Sequence, residues 1–301
     1  MWMWAIFGLG VAAAVALDLG VFHRRARQIS LALALLETSA WIALALAFNS
    51  WIYLSRGHEA GLQFLTGYIV EKSLSIDNIF VFVVIFRALG VPAESQHRVL
   101  YSGVIGALVM RGAFILAGVQ LLQHFRPVVF LFGAILLLTG GRMLMPGARE
   151  ISPEKNWLVR LVRRIAPVTN EFHGTKFWVK EDKTWNATPM FLALIAVEAM
   201  DIVFAVDSVP AVLAITRDSF IAYSSNVFAI LGLRAMYFAL ADVLPRIRFL
   251  HAGLAAILMF VGGKMVIGER WPISTDVSLA VVAGIAAVTL ATSLLWKKRE
   301  E

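Results

Sequence analysis

The sequence predicts an all-α, polytopic membrane protein with about nine transmembrane helices. Of the 301 residues, 59% are hydrophobic, and the mean hydropathy is +0.77, whereas soluble domains are about 45–50% apolar. A spanning helix needs about 20 mostly apolar residues, and nine segments of the chain meet this requirement. Their predicted bounds are 2–21, 31–51, 61–86, 100–122, 128–145, 190–215, 221–244, 249–267 and 277–296.

The distribution of Lys and Arg supports this count, because the basic residues are concentrated in alternate loops. The loops between them carry only four arginines. The first apolar segment has no basic region before it and no small-residue cleavage pattern after it, so we expect a retained helix. We therefore predict a multi-pass protein of the cell (inner) membrane, with its N-terminus outside and its C-terminus in the cytoplasm. The cytoplasmic basic sets are 23–27, Arg87 with Arg98, eight residues from Arg149 to Lys183, Arg246 with Arg248, and 297–299.

Composition excludes several classes of function. The chain has no cysteine, which rules out disulfides and thiolate metal sites. The formal charge of +7 does not indicate nucleic-acid binding, because the basic residues lie in a few loops where they set topology. The expected partners are the lipid bilayer and a metal ion, and the sequence does not indicate the oligomeric state.

The predicted cytoplasmic loop, at about 146–188, is the most extensive polar region. Within it, residues 157–165 place apolar side chains on one helical face and arginines on the other, which is typical of a helix lying at the membrane surface. A basic loop that only enforces topology fits this segment equally well. Residues 176–187 alternate around a polar turn and predict a small β-hairpin.

Two blocks of three helices share landmarks at nearly constant spacing. Thirty-four residues separate the Asp and Arg of the first block, and thirty-three separate those of the second. Because each block has an odd number of helices, the second would be inverted relative to the first, which is a common construction in transporters. The landmarks are Asp77, Arg111 and Gly140-Gly141 in the first block and Asp201, Arg234 and Gly262-Gly263 in the second.

The chain is then a single transmembrane domain over 1–301 that contains this 3+3 inverted repeat. Repeat one is predicted at about 61–145 and repeat two at about 189–267. The remaining helices, 2–21, 31–51 and 277–296, are predicted to be peripheral.

Carboxylates inside the apolar segments are the main functional signal. A charged side chain at the centre of a membrane helix costs at least ~2.5–3.5 kcal/mol, and two segments contain five acids. We interpret them as the ligands of a cation that crosses the membrane. The predicted metal ligands are Glu71, Asp77, Asn78, Glu198, Asp201 and Asp207, with Ser208 and Met200 as possible extra ligands and Ser73 and Ser75 as secondary oxygens.

The arrangement in the second repeat depends on Pro210. Glu198 and Asp201 are three residues apart and share a helical face, but an unbroken helix would point Asp207 elsewhere. A proline removes its own N–H and clashes with the carbonyl four residues earlier. The sequence therefore predicts a kink or break near 206–207, which would also free a backbone carbonyl for the cation.

The donor types constrain the ion. Thiols are absent, and neither acidic segment contains a histidine. A set made only of oxygens suits Mn²⁺, Mg²⁺ or Ca²⁺ better than Zn²⁺ or copper. Met200 is either a soft ligand that favours Mn²⁺ or a residue that packs between helices. The metal is expected as the transported substrate, with no tightly bound cofactor.

Three basic residues are predicted to support the site: Lys72, Arg111 and Arg234. Buried charges must be paired, so their simplest role is to compensate nearby carboxylates. A sharper alternative is a switch in which each Arg pairs with the acids until the ion displaces it. The acids Asp18 and Glu37 are expected nearer the helix ends, with a structural role or a role in a proton path.

Six segments carry a resemblance to a known family: 64–78, 96–100, 107–111, 172–177, 198–210 and 228–234. In them the chain resembles the TerC family of integral membrane proteins, and the acidic motifs match without departure. The resemblance covers nearly the whole chain and implies metal-ion efflux, since the Alx-like branch of the family is associated with manganese export and the wider group with LysE-type exporters.

Three functions are weighed against these observations. The first is export of a divalent cation coupled to proton entry. An intramembrane enzyme is disfavoured because the chain has no His-Glu-x-x-His or Gly-x-Ser-x-Gly motif. The third is a membrane scaffold or chaperone that docks partners on its basic loop or supplies metal to exported proteins.

Overall fold

The predicted helical membrane class is confirmed. A computed structural model describes residues 2–22, 30–125, 127–145, 167–169, 171–181, 184–241, 249–268, 271 and 273–297. Several features of the sequence lie outside these ranges, among them the amphipathic segment 157–165, the basic set 23–27 and the basic pair at 246 and 248.

Each predicted span coincides with helical structure, and the span predicted at 221–244 is divided in two. Five helices precede a short hairpin and five follow it in the described ranges. The elements are α1 (Trp2–Phe22), α2 (Leu31–Arg56), α3 (His58–Ala88), α4 (Ala93–His124), α5 (Val128–Met143), β1 (Trp178–Glu181), β2 (Thr184–Ala187), α6 (Pro189–Leu213), α7 (Ser219–Leu231), α8 (Leu233–Leu240), α9 (Leu250–Ile267) and α10 (Thr275–Lys297).

Six of the described helical segments are long and apolar enough to cross a membrane. They are α2, α4, α6, the consecutive pair α7 and α8, α9 and α10. The apolar parts of α1 and α5 are shorter. The helix α3 is long, with 31 residues, but its apolar run is interrupted by Glu71, Lys72 and Asp77.

The helix α3 lies at the centre of the bundle, where it packs against α2, α6, α7 and α10. The helix α4 packs against α6 and α7, and α5 pairs with α9. The helices α2 and α10, predicted as peripheral, thus both contact the central helix. The core is formed by aliphatic and aromatic side chains of α3, α6 and α9, among them Phe82, Phe86 and Leu258.

Glycines bring α5 and α9 into close contact. A methyl group on Gly262 would lie 2.9 Å from the carbonyl oxygen of Gly133. One on Gly140 would lie 2.9 Å from the carbonyl oxygen of Ala255. Small residues allow such backbone approach, which favours helix association in lipid. One landmark glycine of each predicted repeat, Gly140 and Gly262, therefore lies in this contact, each against a different residue of the facing helix.

Of the kink or break predicted near 206–207, the break is wrong. The helix α6 is continuous from Pro189 to Leu213, with Pro210 inside it. The break occurs at Gly232 instead, between α7 and α8. There the backbone passes so close to its neighbours that an added Cβ would lie 2.8 Å from Lys72 Nζ and 3.2 Å from Trp41 Cβ. A side chain at this position would require the flexible end of Lys72 to move and Trp41 to shift by a few tenths of an ångström, which favours glycine.

The predicted hairpin is confirmed. Strands β1 and β2 are antiparallel, with Trp178 opposite Ala187 and Glu181 opposite Thr184. The hydroxyl of Thr188, directly before α6, donates to the carbonyl oxygen of Lys176 at 2.7 Å. This bond attaches the hairpin to the start of α6.

Candidate metal site

A buried ion pair links α3 to α4 in the middle of the bundle. The Arg111 guanidinium donates to a carboxylate oxygen of Glu71, and both side chains are buried. The same guanidinium nitrogen, Nη1, lies 3.0 Å from Ser208 Oγ and 3.4 Å from Asn226 Oδ1. Arg111 therefore connects four helices, α3, α4, α6 and α7, at one point.

A small cavity adjoins this pair. Its volume is ≈ 10 Å³, which is about the space that one water-sized guest requires. It is bounded by residues of α3, α4 and α6, together with one side chain from α5 and one from α9. Its polar lining is Asp77, Asn78, Arg111, Asp207 and Ser208, and its apolar lining is Leu74, Met143, Phe204 and Leu258.

The continuous helix α6 explains how Asp207 reaches the cavity without a break. At 100° per residue, Asp201 and Asp207 lie about 60° to either side of Phe204, with Ser208 between them. Phe204 and Ser208 are buried, while Val206 on the opposite face is 54% exposed. The inward face of α6 is thus wide enough to hold both aspartates.

Asp201 and Glu198 lie beside the cavity rather than in its lining. Asp201 is 4% exposed, and it interacts electrostatically with Arg111, as Asp207 does. The half-buried carboxylate of Glu198 lies against Gly106 of α4, where an added Cβ would require that carboxylate to move. Glu198 also interacts electrostatically with Asp201, so the acids form a row along α6.

The described residues do not form a closed metal cage. No three His, Cys, Asp or Glu side chains among them converge closely enough to hold a metal ion. Several buried polar atoms nevertheless lack a hydrogen-bond partner within the described part of the chain. Those on or near the acidic segments include Glu71 Oε2, Ser75 Oγ, Arg111 Nε and Asn226 Nδ2. Since buried polar groups are nearly always paired, these atoms leave capacity for a polar guest, and the ligand assignment stays a prediction.

The other two predicted basic residues lie elsewhere. Lys72 Nζ points to the end of α7, 3.4 Å from the carbonyl oxygen of Ala229, where the carbonyl end of a helix favours a cation. Arg234 Nη2 lies 3.5 Å from Glu37 Oε2 of α2, and both residues are buried. Glu37, in the second turn of α2, is therefore a buried ion-pair partner.

The minor candidates occupy ordinary positions. Met200 is half-buried and packs against the hydrophobic core. Ser73 Oγ donates to the carbonyl oxygen of Ile69, one turn earlier, at 2.8 Å. The side chain of Asp18 lies outside the described part of the structure.

Two residues of the site were missed in the sequence. Asn226 was not singled out, although an amide inside an apolar span is itself a signal, because polar groups in lipid must be satisfied within the protein. His251 Nε2 lies 3.4 Å from Asp77 Oδ1. It was overlooked because it is far from the acidic segments in sequence and becomes a neighbour only through the packing of α9.

Comparisons with known proteins agree with the resemblance in the sequence. The model of the "Integral membrane protein TerC family" matches residues 56–301. The chain is 47% identical over 293 residues to the uncharacterized membrane protein STKORF319 of Myxococcus xanthus, covering 97% of this chain and 92% of that protein. It is 42% identical to Alx of Escherichia coli K12 (95% of this chain, 92% of the relative) and to Alx of Salmonella typhi (96% and 92%). The names of both Alx proteins propose a membrane-bound redox modulator. No solved structure matches the chain.

Proposed function

Because the chain belongs to the TerC family of integral membrane proteins, we propose that it exports a divalent metal cation from the cytoplasm. The proposed ion is Mn²⁺. One observation carries the proposal: Asp77, Asn78, Asp207 and Ser208 surround a water-sized cavity beside a buried ion pair. Oxygen donors of these types suit hard divalent ions.

The charge balance around the cavity supports a cation as its guest. Glu71, Asp77, Asp201 and Asp207 lie at or beside it, and among the described residues the guanidinium of Arg111 and the imidazole of His251 lie close to these carboxylates. Buried carboxylates are unfavourable without a counter-charge, and a divalent ion would supply counter-charge at the cavity.

The helix pairing supports the proposed inverted repeat. If α3 corresponds to α6, α4 to the pair α7 and α8, and α5 to α9, then a two-fold axis exchanges the contact of α3 with α7 for that of α6 with α4. Both contacts are present, as are the self-related pairs α3 with α6 and α5 with α9. In inverted-repeat transporters the substrate lies where the two halves meet.

Export against an inside-negative potential costs ~2.3 kcal/mol per charge per 100 mV. We propose that proton entry supplies this free energy, because carboxylates that bind protons release the metal. In vesicles that contain the protein, an imposed pH gradient should then drive Mn²⁺ flux, and flux that ignores the gradient would contradict the coupling.

The names of the Alx relatives suggest redox modulation, and this is compatible with the proposal. Thiol–disulfide chemistry cannot be the basis in this chain, because it has no cysteine. Export of a redox-active metal would instead change the redox state of the cell indirectly. A scaffold role on the cytoplasmic loop remains the alternative, and it does not require the buried acids.

The experiment that separates these functions compares two matched substitutions. Asp77→Asn removes the charge at the cavity and should abolish Mn²⁺ flux in vesicles. Asp218→Asn is the control, because Asp218 caps α7 and pairs with Arg56 at a partly exposed position, and an asparagine also caps a helix. Flux that persists in Asp77→Asn would favour the scaffold.

A further inference from the structure

The imidazole of His251 lies at the edge of the candidate site. His251 is the second residue of α9, and its side chain is 39% exposed, whereas the Asp77 side chain that it contacts is 5% exposed. The ring packs edge-on against Phe80, with centroids 5.7 Å apart and an interplanar angle of 89°. His251 therefore lies between the accessible side of the bundle and the buried carboxylate.

The separation of the two side chains fits a shared ion. Two neighbouring ligands that each lie ~2.1 Å from one metal are about 3 Å apart. The observed distance from His251 Nε2 to Asp77 Oδ1 is 3.4 Å. A movement of a few tenths of an ångström would bring both atoms to one ion, and Phe80 already restricts the orientation of the ring.

We propose that His251 is a metal ligand that, together with Asp77, selects transition-metal dications over Mg²⁺ and Ca²⁺. The inference rests on the proposed function and specifies its substrate class. Mg²⁺ and Ca²⁺ take oxygen ligands almost exclusively, while imidazole binds first-row transition ions. Carboxylate and carbonyl oxygens suit Mg²⁺, Ca²⁺ and Mn²⁺ alike, so an imidazole nitrogen would add a preference for transition ions.

The simpler role for His251 is to hydrogen-bond Asp77 and orient its carboxylate. The two roles differ in what they predict for a substitution by glutamine. Glutamine can still donate a hydrogen bond and offers an oxygen to a metal, but it has no imidazole nitrogen. An orienting role is thus retained in His251→Gln, whereas selection by a nitrogen ligand is lost.

The first test measures Mn²⁺, Mg²⁺ and Ca²⁺ binding to the purified full chain by calorimetry. In His251→Gln we expect the Kd for Mn²⁺ to rise at least about tenfold, as for other losses at metal sites, with little change for Mg²⁺. His58→Gln, at an exposed position at the start of α3, is the matched control. Equal changes for Mn²⁺ and Mg²⁺, or no change, would overturn the proposal.

A second test does not depend on a variant. Pulsed electron paramagnetic resonance of Mn²⁺ bound to the wild-type chain should detect coupling to an imidazole nitrogen, and this signal should vanish in His251→Gln. If bound Mn²⁺ shows no nitrogen coupling, His251 is not a ligand even if the export function holds. If Asp77→Asn leaves Mn²⁺ flux intact, the proposed function itself fails, so the two failures are distinguishable.

Discussion

The two buried arginines have different surroundings, although they occupy corresponding positions in the predicted repeats. Arg111 contacts Glu71, Ser208 and Asn226, and two more carboxylates lie within electrostatic range. Arg234 pairs with Glu37 of α2. In the repeat alignment Ile195 stands at the position of Glu71. The carboxylate that pairs with Arg234 therefore comes from α2, outside the repeat, whereas the carboxylates near Arg111 come from α3 and α6. We therefore expect a functional centre at Arg111 and a structural link at Arg234.

The largest effect is expected on removing either arginine. Breaking a buried ion pair from one side costs ~3–5 kcal/mol because the remaining charge is left buried. Arg111→Ala should lie at the upper end of this range, since it removes the guanidinium from beside Glu71, Asp201 and Asp207, and Arg234→Ala at the lower end. Unfolding midpoints in detergent would check the order, and equal losses would remove the energetic distinction between the two sites.

The comparison is sharper when both partners of each pair are replaced by apolar residues. Such replacements are often close to neutral for stability. The double variant Glu37→Leu/Arg234→Met should therefore fold and keep Mn²⁺ export. Glu71→Leu/Arg111→Met should fold but lose export by at least about tenfold, because a charged group in a membrane span is functional by default. Loss of export in both double variants would show that the Glu37 pair also belongs to the transport site.

A smaller effect is expected for Ser208→Ala. The hydroxyl accepts a hydrogen bond from Arg111 at 3.0 Å, and a hydrogen bond to a charged group contributes ~1.5–3 kcal/mol. The free energy of unfolding should fall by about the lower value, because Glu71 still holds the arginine. Ser225→Ala provides a control, since Ser225 is equally buried but donates to Ala222 within its own helix.

The smallest effect is expected for Lys72→Met. Its ammonium makes a long contact of 3.4 Å with a carbonyl oxygen at the end of α7, and methionine fills a similar volume in an apolar setting. Stability should change by less than ~1 kcal/mol, with Mn²⁺ export unaffected. A marked loss of export in vesicles would mean that Lys72 acts on the cavity from a distance.

Hydropathy was enough to predict the helices, because each of them must satisfy its own backbone in lipid. The rotation of Asp207 toward the cavity was not predictable in the same way. The argument from Pro210 assumed a break, whereas α6 stays helical and its inward face spans more than 100°. The helix α6 accommodates Pro210 without a break, and the helical structure is interrupted at Gly232 instead.

Partners of the charged residues were less predictable than their presence. The Glu71–Arg111 pair follows from a surplus of acid near a conspicuous arginine. The Glu37–Arg234 pair does not, since it joins α2 to α8 across 197 positions of the chain. The contact of His251 with Asp77 was not predicted for the same reason, since it joins α9 to α3. Contacts between distant helices depend on how the bundle packs, and no periodicity within one helix reports them.

The glycine contact between α5 and α9 has a mechanical consequence. Carbonyl oxygens of one backbone fill the space where a Cβ of the other would stand, at Gly262 and at Gly140. The two helices cannot slide past each other without steric clash, so we expect them to move together as one rigid body. A rearrangement that opened the cavity to alternate sides of the bilayer would then have to occur at other, less closely packed helix interfaces, while the contact between α5 and α9 stayed intact.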